Sequence, residues 1–300
     1  MTAHLRVQGE CGSCWALAAA GSLEASVSRR QAHDAYTEYL ERATLRREKK
    51  TIKEIHWEAL EFAKSVEKAA FQMVNLSIQE LIDCDTQGDQ GCIGGNPLLA
   101  FSFIHRYGLT TQEQYPYVGY EDTCNKKSVN HPIAKARAWG LLSPNYENHM
   151  ELVLRYVGPI AVGVNGGERS FLGYRDGIFD KPNCKQGANH ALLIVGYGEE
   201  TTEDGLVKYW IARNSWGRGW GIDGYIKIHR GDGLKGTPGV CGIARSPSVA
   251  LGGILLQNRH RLAPYHGPIP AEPGSEPLGK RETSTVCSQL GIDSCSTFFE

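Results

Sequence analysis

Residues 8–15 read Gln-Gly-Glu-Cys-Gly-Ser-Cys-Trp and lead into Ala-Leu-Ala-Ala-Ala-Gly-Ser-Leu-Glu-Ala-Ser, residues 16–26. Small turn-forming residues precede an alanine-rich run of high helix propensity, which predicts a helix beginning close to Cys14. The positive end of a helix dipole favours a thiolate over a thiol. Cys14 is therefore a candidate nucleophile.

The cysteine count supports that assignment. Nine cysteines are many for a cytosolic chain of 300 residues, and most lie beside Gly, Asp or Asn in loop-like sequence. This pattern is typical of disulfide half-cystines and favours an oxidising or lysosome-like compartment. Because nine is odd, complete pairing still leaves one thiol free.

The overall composition excludes several classes of function. The chain is 41% hydrophobic and 22% charged, as an ordinary globular protein is, and its formal net charge is −1. Such a balance creates no global field that would favour nucleic acid or an anionic membrane. No stretch approaches the roughly 18 apolar residues of a membrane span, and residues 1–10 lack the apolar region of a secretory signal. We expect neither a nucleic-acid partner nor a membrane span.

Helical signals dominate the first half of the chain. Residues 29–73 contain no Gly or Pro and place apolar residues at helical spacing, which predicts one or two charged amphipathic helices. A solvated insertion and a partner-binding face both fit this segment. Ser77 and Glu80 have capping-box spacing, and residues 98–108 predict a further helix that is closed by Gly108.

The second half predicts a sheet, because short β-prone runs alternate with glycine-containing turns. These runs are residues 158–165, 190–198, 206–216 and 224–230. Residues 266–280 are rich in Pro and Gly and favour an extended linker. The sequence thus changes from helices to an antiparallel sheet and ends in an extension.

Two polar residues of the second half can complete a nucleophilic site. His190 opens the apolar run Ala-Leu-Leu-Ile-Val, where a strand would hold its imidazole rigidly for proton transfer. Asn214 begins Asn-Ser-Trp-Gly-Arg-Gly-Trp-Gly, and its side-chain carbonyl can accept a hydrogen bond from an imidazole and fix its orientation. A Cys-His-Asn triad is the chemistry that these residues suggest.

These separated motifs resemble the papain and cathepsin L-like cysteine peptidases, over roughly residues 8–246. The resemblance implies an α+β, two-lobed fold whose helical lobe and antiparallel β-barrel lobe enclose an active-site cleft. We expect a peptidase domain at 1–255, with a mainly helical lobe at 1–125 and a mainly β lobe at 126–255. Residues of about 28–73 are then an insertion, or translated non-coding sequence, and residues 256–300 an extension. The family's inhibitory propeptide is not in the sequence.

The resemblance also assigns roles in the site. Cys14 is the nucleophile, His190 its proton-transfer partner, Asn214 the orienting residue, and Gln8 a donor to the oxyanion. By the same resemblance Gly95 pairs with the substrate backbone and Trp216 shields the Asn-His bond from water. The main specificity pocket would be lined by Pro97, Gly163, Asn189, Ala191 and Ser246. No acidic residue lies at its base, so an apolar side chain two positions before the cut is the expected preference, which the neighbouring Arg245 could alter.

Family pairing implies three disulfides, Cys11–Cys92, Cys84–Cys124 and Cys184–Cys241. The remaining pair, Cys287 and Cys295, is a candidate for a fourth. Zinc is the competing use of these cysteines, but the sequence lacks paired CxxC knuckles. We expect no metal and no organic cofactor.

The expected function is that of a cysteine-type endopeptidase of the EC 3.4.22 type, monomeric, in a lysosome or vacuole or outside the cell. Its expected partners are polypeptide substrates, with cystatin-like inhibitors or a propeptide as candidates. A catalytically silent peptide-binding homologue is the alternative, and a dithiol oxidoreductase using Cys11 and Cys14 is a third. Leu17 and Ile93 depart from the family pattern, which usually has an aromatic residue and an asparagine there. Asn75 begins a glycosylation sequon.

Overall fold

Helix α1, Cys14–Leu45, is the longest of the described elements. In this computed structural model, residues 6–45, 50–203, 205–231, 235–256 and 294–295 are described. The helix is buried on every side from Trp15 to Ser28, as its run of small and apolar residues requires. The Ser22 hydroxyl joins it to the sheet, since Ser22 Oγ donates to the Pro159 carbonyl at 2.9 Å and accepts from the Ala250 amide at 3.1 Å.

Helices α1 and α2 form an antiparallel hairpin that extends beyond the buried part of α1. Helix α2, Ile52–Met73, begins at a capping box in which Thr51 and Glu54 exchange hydrogen bonds. The predicted helices of residues 29–73 are therefore confirmed. Alanines form the seam of the hairpin, with Ala59 fully buried and Trp57 on the outside 63% exposed. At 1.5 Å per residue, Leu45 lies about 47 Å along the axis from Cys14.

Five shorter helices complete the helical part. They are α3 (Gln79–Cys84), α4 (Pro97–Tyr107), α5 (Lys126–Val129), α6 (Glu147–Tyr156) and α7 (Arg169–Leu172), and a 3₁₀ turn spans Val240–Gly242. Asn96 caps α4 by accepting from the Leu98 amide at 3.0 Å. Gly108 ends that helix with φ of 79°, a left-handed value that glycine adopts without strain, as predicted. Ser77 Oγ accepts from the Glu80 amide at 3.0 Å at the start of α3.

Ten strands are described, and eight of them form one sheet. The strands are β1 (Ala134–Lys135), β2 (Ala138–Leu141), β3 (Ile160–Val164), β4 (Ile178–Phe179), β5 (His190–Thr202), β6 (Gly205–Arg213), β7 (Tyr225–His229), β8 (Ser248–Leu251), β9 (Ile254–Leu255) and β10 (Ser294–Cys295). The sheet order is β10-β2-β8-β3-β5-β6-β7-β4, and β1 pairs with β9 separately. Every pair is antiparallel except β4 with β7, which is parallel, so the predicted antiparallel sheet carries one parallel edge.

Two clusters of buried apolar side chains lie on the two opposite faces of strands β3 and β5. One is centred on α1, α3 and α4 and includes Trp15 and Phe101. The other is centred on the sheet and includes Trp210 and Phe171. The α+β class and the papain-like fold predicted from the sequence are confirmed by this architecture and by the solved structures compared below. The exact division into lobes and extension stays a prediction.

The structure forms three disulfides, Cys11–Cys92, Cys84–Cys124 and Cys184–Cys241, which are the pairs implied by the resemblance. Cys14 is the free cysteine among the residues whose side chains are described. Cys287 lies outside the described residues, and for Cys295 only the strand position is described, so the fourth bridge stays a prediction. Within the described residues no helix has the length and apolarity that a membrane crossing demands, and no cluster of metal-ligating side chains occurs.

Candidate active site

Cys14 is the first residue of α1, at the point where the helix meets strand β5. Its side chain is partly buried, and the nearby backbone amides of Ala191, Trp15 and Cys14 itself lower the pKa of the thiol. The turn before it is tightly packed, because a Cβ on Gly12 would lie 2.6 Å from the Cys92 carbonyl oxygen. The disulfide loop therefore fixes the start of the helix and the position of the thiol.

His190 and Asn214 are joined by a buried hydrogen bond. His190 opens β5 opposite Val164, and Asn214 follows directly after β6. Their side chains meet at 2.7 Å between Nε2 and Oδ1, and His190 is 7% exposed. An amide oxygen only accepts, so this bond places the proton of a neutral imidazole on Nε2 and leaves Nδ1 as a base.

The electrostatics of the pair differ from the sequence-based prediction. A lowered Cys14 pKa is expected from the helix N-terminus, and the backbone amides do lower it, but burial outweighs them and raises the pKa of the Cys14 thiol. Burial likewise lowers the pKa of His190, against the bond to Asn214, which raises it. Burial penalises each charge singly, whereas a thiolate and an imidazolium formed together stabilise one another. For the thiol taken alone the net shift is therefore opposite to the predicted one, whereas the helix amides act in the predicted direction and the effect of the imidazolium stays a prediction.

Aromatic rings cover the His190–Asn214 bond. Trp216 stacks on the His190 ring with centroids 4.6 Å apart, and Phe171 and Trp220 pack edge-on against Trp216 at 5.6 and 5.2 Å. This apolar cover keeps water from competing for the bond. Gly217 and Gly221, with φ of 81° and 58°, form the left-handed turns that bring these rings together.

Gln8 lies in the turn that leads to Cys14, and hydrogen bonds hold both its side chain and its backbone. Its Nε2 donates to the Cys11 carbonyl at 3.0 Å, and its Oε1 accepts from the Ser215 hydroxyl at 2.5 Å. The Gln8 amide donates to the Ser215 carbonyl at 2.9 Å, and Tyr117 donates its hydroxyl hydrogen to the Gln8 carbonyl at 2.6 Å. Four hydrogen bonds thus fix the position of Gln8.

The residues predicted to bind substrate lie on strands β3 and β5 and on the segments that precede α4, β5 and β8. Gly163 and Ala191 face each other across β3 and β5, and Asn189 donates to Asn165 at 3.1 Å. Gly95 is exposed just before α4, where Pro97 is the first residue of the helix, and Ser246 is exposed just before β8. Arg245 donates to the Gln186 carbonyl, which ties it to a neighbouring loop.

The family model described as "Papain family cysteine protease" matches residues 1–39 and 57–251, which is most of the chain. The chain belongs to the papain family. Human cathepsin L2 is 32% identical over 244 residues, covering 80% of this chain and 60% of that protein. Thiol protease SEN102 from Hemerocallis is 34% identical over 245 residues, covering 81% of this chain and 55% of that protein. The chain thus spans about 60% of the length of such relatives.

Solved papain-family structures share the fold. The bromelain protease of Ananas comosus in complex with the E64 inhibitor superposes with a TM-score of 0.61 at 30% identity, covering 82% of this chain and 92% of that one. The Amb a 11 cysteine protease, a ragweed pollen allergen solved in its proform, gives 0.61 at 29% identity, with 82% and 62% coverage. The family assignment made from the sequence motifs is confirmed.

Some residues of the papain-family site carry no signal of their own in the sequence. Ser215 lies inside the motif that reveals Asn214, yet its bond to Gln8 joins positions far apart in the chain. Tyr117 touches both Gln8 and Ser13, the latter at 2.9 Å, from a loop without any recognisable pattern. Only the tertiary structure brings them to the site.

Proposed function

We propose that this chain is a cysteine-type endopeptidase in which Cys14, His190 and Asn214 form the catalytic triad. The observation that carries the proposal is the 2.7 Å bond between His190 and Asn214, with the backbone amide of Ala191, the residue after His190, close enough to the Cys14 thiol to lower its pKa. A merely peptide-binding homologue has no need of a free thiol beside an oriented imidazole.

In the proposed mechanism, His190 Nδ1 takes the thiol proton and the Cys14 thiolate attacks the peptide carbonyl. The tetrahedral oxyanion is stabilised by Gln8 Nε2 and by the Cys14 amide, and loss of one such donor typically costs about 2.7–4 kcal/mol. His190 then gives its proton to the leaving amine, and an acyl-enzyme forms. A water activated by His190 hydrolyses that thioester and restores the thiol.

The proposed specificity follows from the substrate-binding segments. An extended substrate would pair through its backbone with Gly95, where the absent side chain permits close approach. The pocket formed by Pro97, Gly163, Asn189, Ala191 and Ser246 carries no acidic side chain, so we propose an apolar residue two positions before the cut. Arg245 at its border disfavours a basic residue in that position.

The proposed partners and location follow the same reasoning. Polypeptides are the substrates, the chain acts as a monomer, and cystatin-like inhibitors or a propeptide would occupy the same cleft. Three disulfides fit a lysosomal, vacuolar or extracellular setting. The dithiol oxidoreductase alternative is disfavoured, because Cys11 is bonded to Cys92 and leaves Cys14 without a resolving thiol.

One experiment tests the proposal. The protein is treated with an epoxysuccinyl thiol inhibitor, the adduct is mapped by mass spectrometry, and hydrolysis of Leu-Arg and Asp-Arg fluorogenic peptides is measured. We expect a single adduct on Cys14, loss of hydrolysis with labelling, and a strong preference for the Leu-Arg peptide. The Cys14→Ser variant is the control and should neither label nor cleave. An unlabelled Cys14 in a folded protein that cleaves neither peptide would contradict the proposal.

A further inference from the structure

Two aspartates are buried beneath the segment that we propose binds the substrate backbone. Asp85 follows the last residue of α3 and is 1% exposed, and Asp89 lies four residues later and is 5% exposed. Both belong to the loop between Cys84 and Cys92, each of which is held by a disulfide. The two carboxyl groups are thus fixed in an interior from which water is largely excluded.

The two carboxyl groups contact each other. The two side chains lie within hydrogen-bonding range of each other, and a hydrogen bond between them requires a proton on one of the two, because two carboxylates offer acceptors only. Asp85 Oδ2 and Asp89 Oδ2 are both buried, and neither has a hydrogen-bond partner as long as both carboxyl groups are ionised. One proton shared between the two carboxyl groups gives both oxygen atoms a hydrogen-bond partner. It makes one oxygen a donor and the other an acceptor, and it removes the repulsion between two negative charges.

Asp89 connects this pair to Gly95. Its second oxygen, Oδ1, accepts from the Asn96 amide at 2.6 Å. A Cβ placed on Gly95 would lie 2.6 Å from Asp89 Oδ1 and 2.6 Å from the Trp15 ring, so Gly95 is wedged between these two side chains. Trp15 adjoins Cys14 and donates to the Gly91 carbonyl of the same loop at 3.2 Å. The position of Asp89 therefore sets the position of the Gly95 backbone relative to the thiol.

We propose that Asp89 and Asp85, sharing one proton, act as a positioning pair that holds Gly95 in place for the substrate backbone, and that substrate binding weakens when this proton is lost. The effect on substrate binding rests on the proposed peptidase function. The positioning of Gly95 rests on the contacts of Asp85 and Asp89 alone.

The surroundings of the pair support a proton that persists above the usual carboxyl range. Burial is the largest cause, and it raises the pKa of both groups, while the charge of Asp89 raises the pKa of Asp85 further. On α3, Asp83 accepts from the Tyr115 hydroxyl and Glu80 accepts from the Thr110 amide. Across the loop, Glu121 lies against Gly91 and is exposed. Among the described residues, no cation contributes to the pKa of either aspartate.

Loss of the proton leaves two buried carboxylates in contact, and their repulsion pushes Asp89 away from Asp85. The Asn96 amide follows Asp89, so Gly95 shifts or becomes mobile. Because the folded protein binds this proton more tightly than a free carboxyl does, the ordered segment is favoured at acidic pH and lost as the pH rises. The effect falls on substrate binding and leaves the proton transfer between Cys14 and His190 intact.

The test is the pH dependence of KM and kcat between pH 5 and 8.5 for Asp89→Asn, Asp89→Leu and the unaltered protein. In the unaltered protein we expect KM for the Leu-Arg peptide to rise about tenfold across this range. Asp89→Asn keeps an acceptor for Asn96 and donates to Asp85 at every pH, so its KM should vary less than twofold. Asp89→Leu lacks both bonds and should have a raised KM throughout. Glu121→Gln removes a nearby exposed carboxylate and should behave as the unaltered protein does.

A second measurement does not depend on peptidase activity. Hydrogen–deuterium exchange of residues 85–99, corrected for the intrinsic effect of pH, is followed in the Cys14→Ala background. Protection of this segment should fall severalfold as the pH rises, and Asp89→Asn should abolish that fall. A KM independent of pH in the unaltered protein, or the same pH dependence in Asp89→Asn, would overturn the proposal. An inactive protein that shows the expected exchange would reject the peptidase function and retain the positioning pair.

Discussion

Replacing Asn214 with alanine removes the acceptor that orients His190 without altering the thiol. The bond is 2.7 Å long, is buried and lies beneath Trp216. In the proposed mechanism it is made to an imidazolium, and a hydrogen bond to a charged group contributes about 1.5–3 kcal/mol. At 1.36 kcal/mol for each factor of ten, this corresponds to a loss of about 10- to 160-fold in kcat/KM.

The assay is hydrolysis of the Leu-Arg fluorogenic peptide at pH 6, with active sites titrated by the epoxysuccinyl inhibitor. The loss should appear mainly in kcat, because Asn214 contacts the histidine and not the substrate. Asn183→Ala removes an exposed asparagine of the same half of the chain and should change kcat/KM less than twofold. A loss of less than threefold in folded Asn214→Ala would refute the orienting role, as would an equal loss in both variants.

Three further predictions concern charge and stability. Burial raises the pKa of the Cys14 thiol, so the reactive thiolate should form at pH 6 only with the help of His190. Labelling of Cys14 by iodoacetamide at pH 6, measured by mass spectrometry, should be at least about tenfold slower in His190→Ala and should recover only in alkaline solution. Burial raises the pKa of Glu80 to about 8, so its contribution to stability is complete at acidic pH and is lost as the pH rises from about 4.3 through 8. Urea titrations should show this decline, and Glu80→Gln, which still accepts the same backbone N–H, should flatten it. The Cys11–Cys92 bridge spans 81 residues, and its removal in the double Ser variant should lower the free energy of unfolding by about 4.5 kcal/mol in the chain-entropy model. A change below 1 kcal/mol in urea unfolding would contradict that figure.

The helical hairpin shows how far local pattern can predict structure. Residues 29–73 lack helix breakers and carry a periodic apolar face, and the structure forms two helices there. The pattern does not show that the helix beginning at Cys14 continues without interruption into this segment. Nor does it identify α1 as the helix against which α2 packs. Packing of Ala59 and its neighbouring alanines against α1 decides the hairpin.

Asp89 illustrates the opposite case. In the sequence it is one acidic residue in a glycine-rich loop, where a solvated side chain is the ordinary expectation. The disulfides at Cys84 and Cys92 fold the loop back, bury the carboxyl group and bring it against Asp85. The contact between Asp85 and Asp89 depends on how the disulfides close the loop, and the residues next to Asp89 in the sequence do not reveal this.

The sequence by itself determined the chemistry available to this protein: a cysteine at a helix start, a histidine opening an apolar strand and an asparagine after the next strand, each recognisable from its neighbours. The tertiary structure decided the charge states and the supports, namely the burial that raises the Cys14 pKa, the Ser215 bond that holds Gln8, and the paired aspartates. Residue identity and spacing are local properties of the chain. Desolvation and contact between distant segments exist only once the chain has closed upon itself.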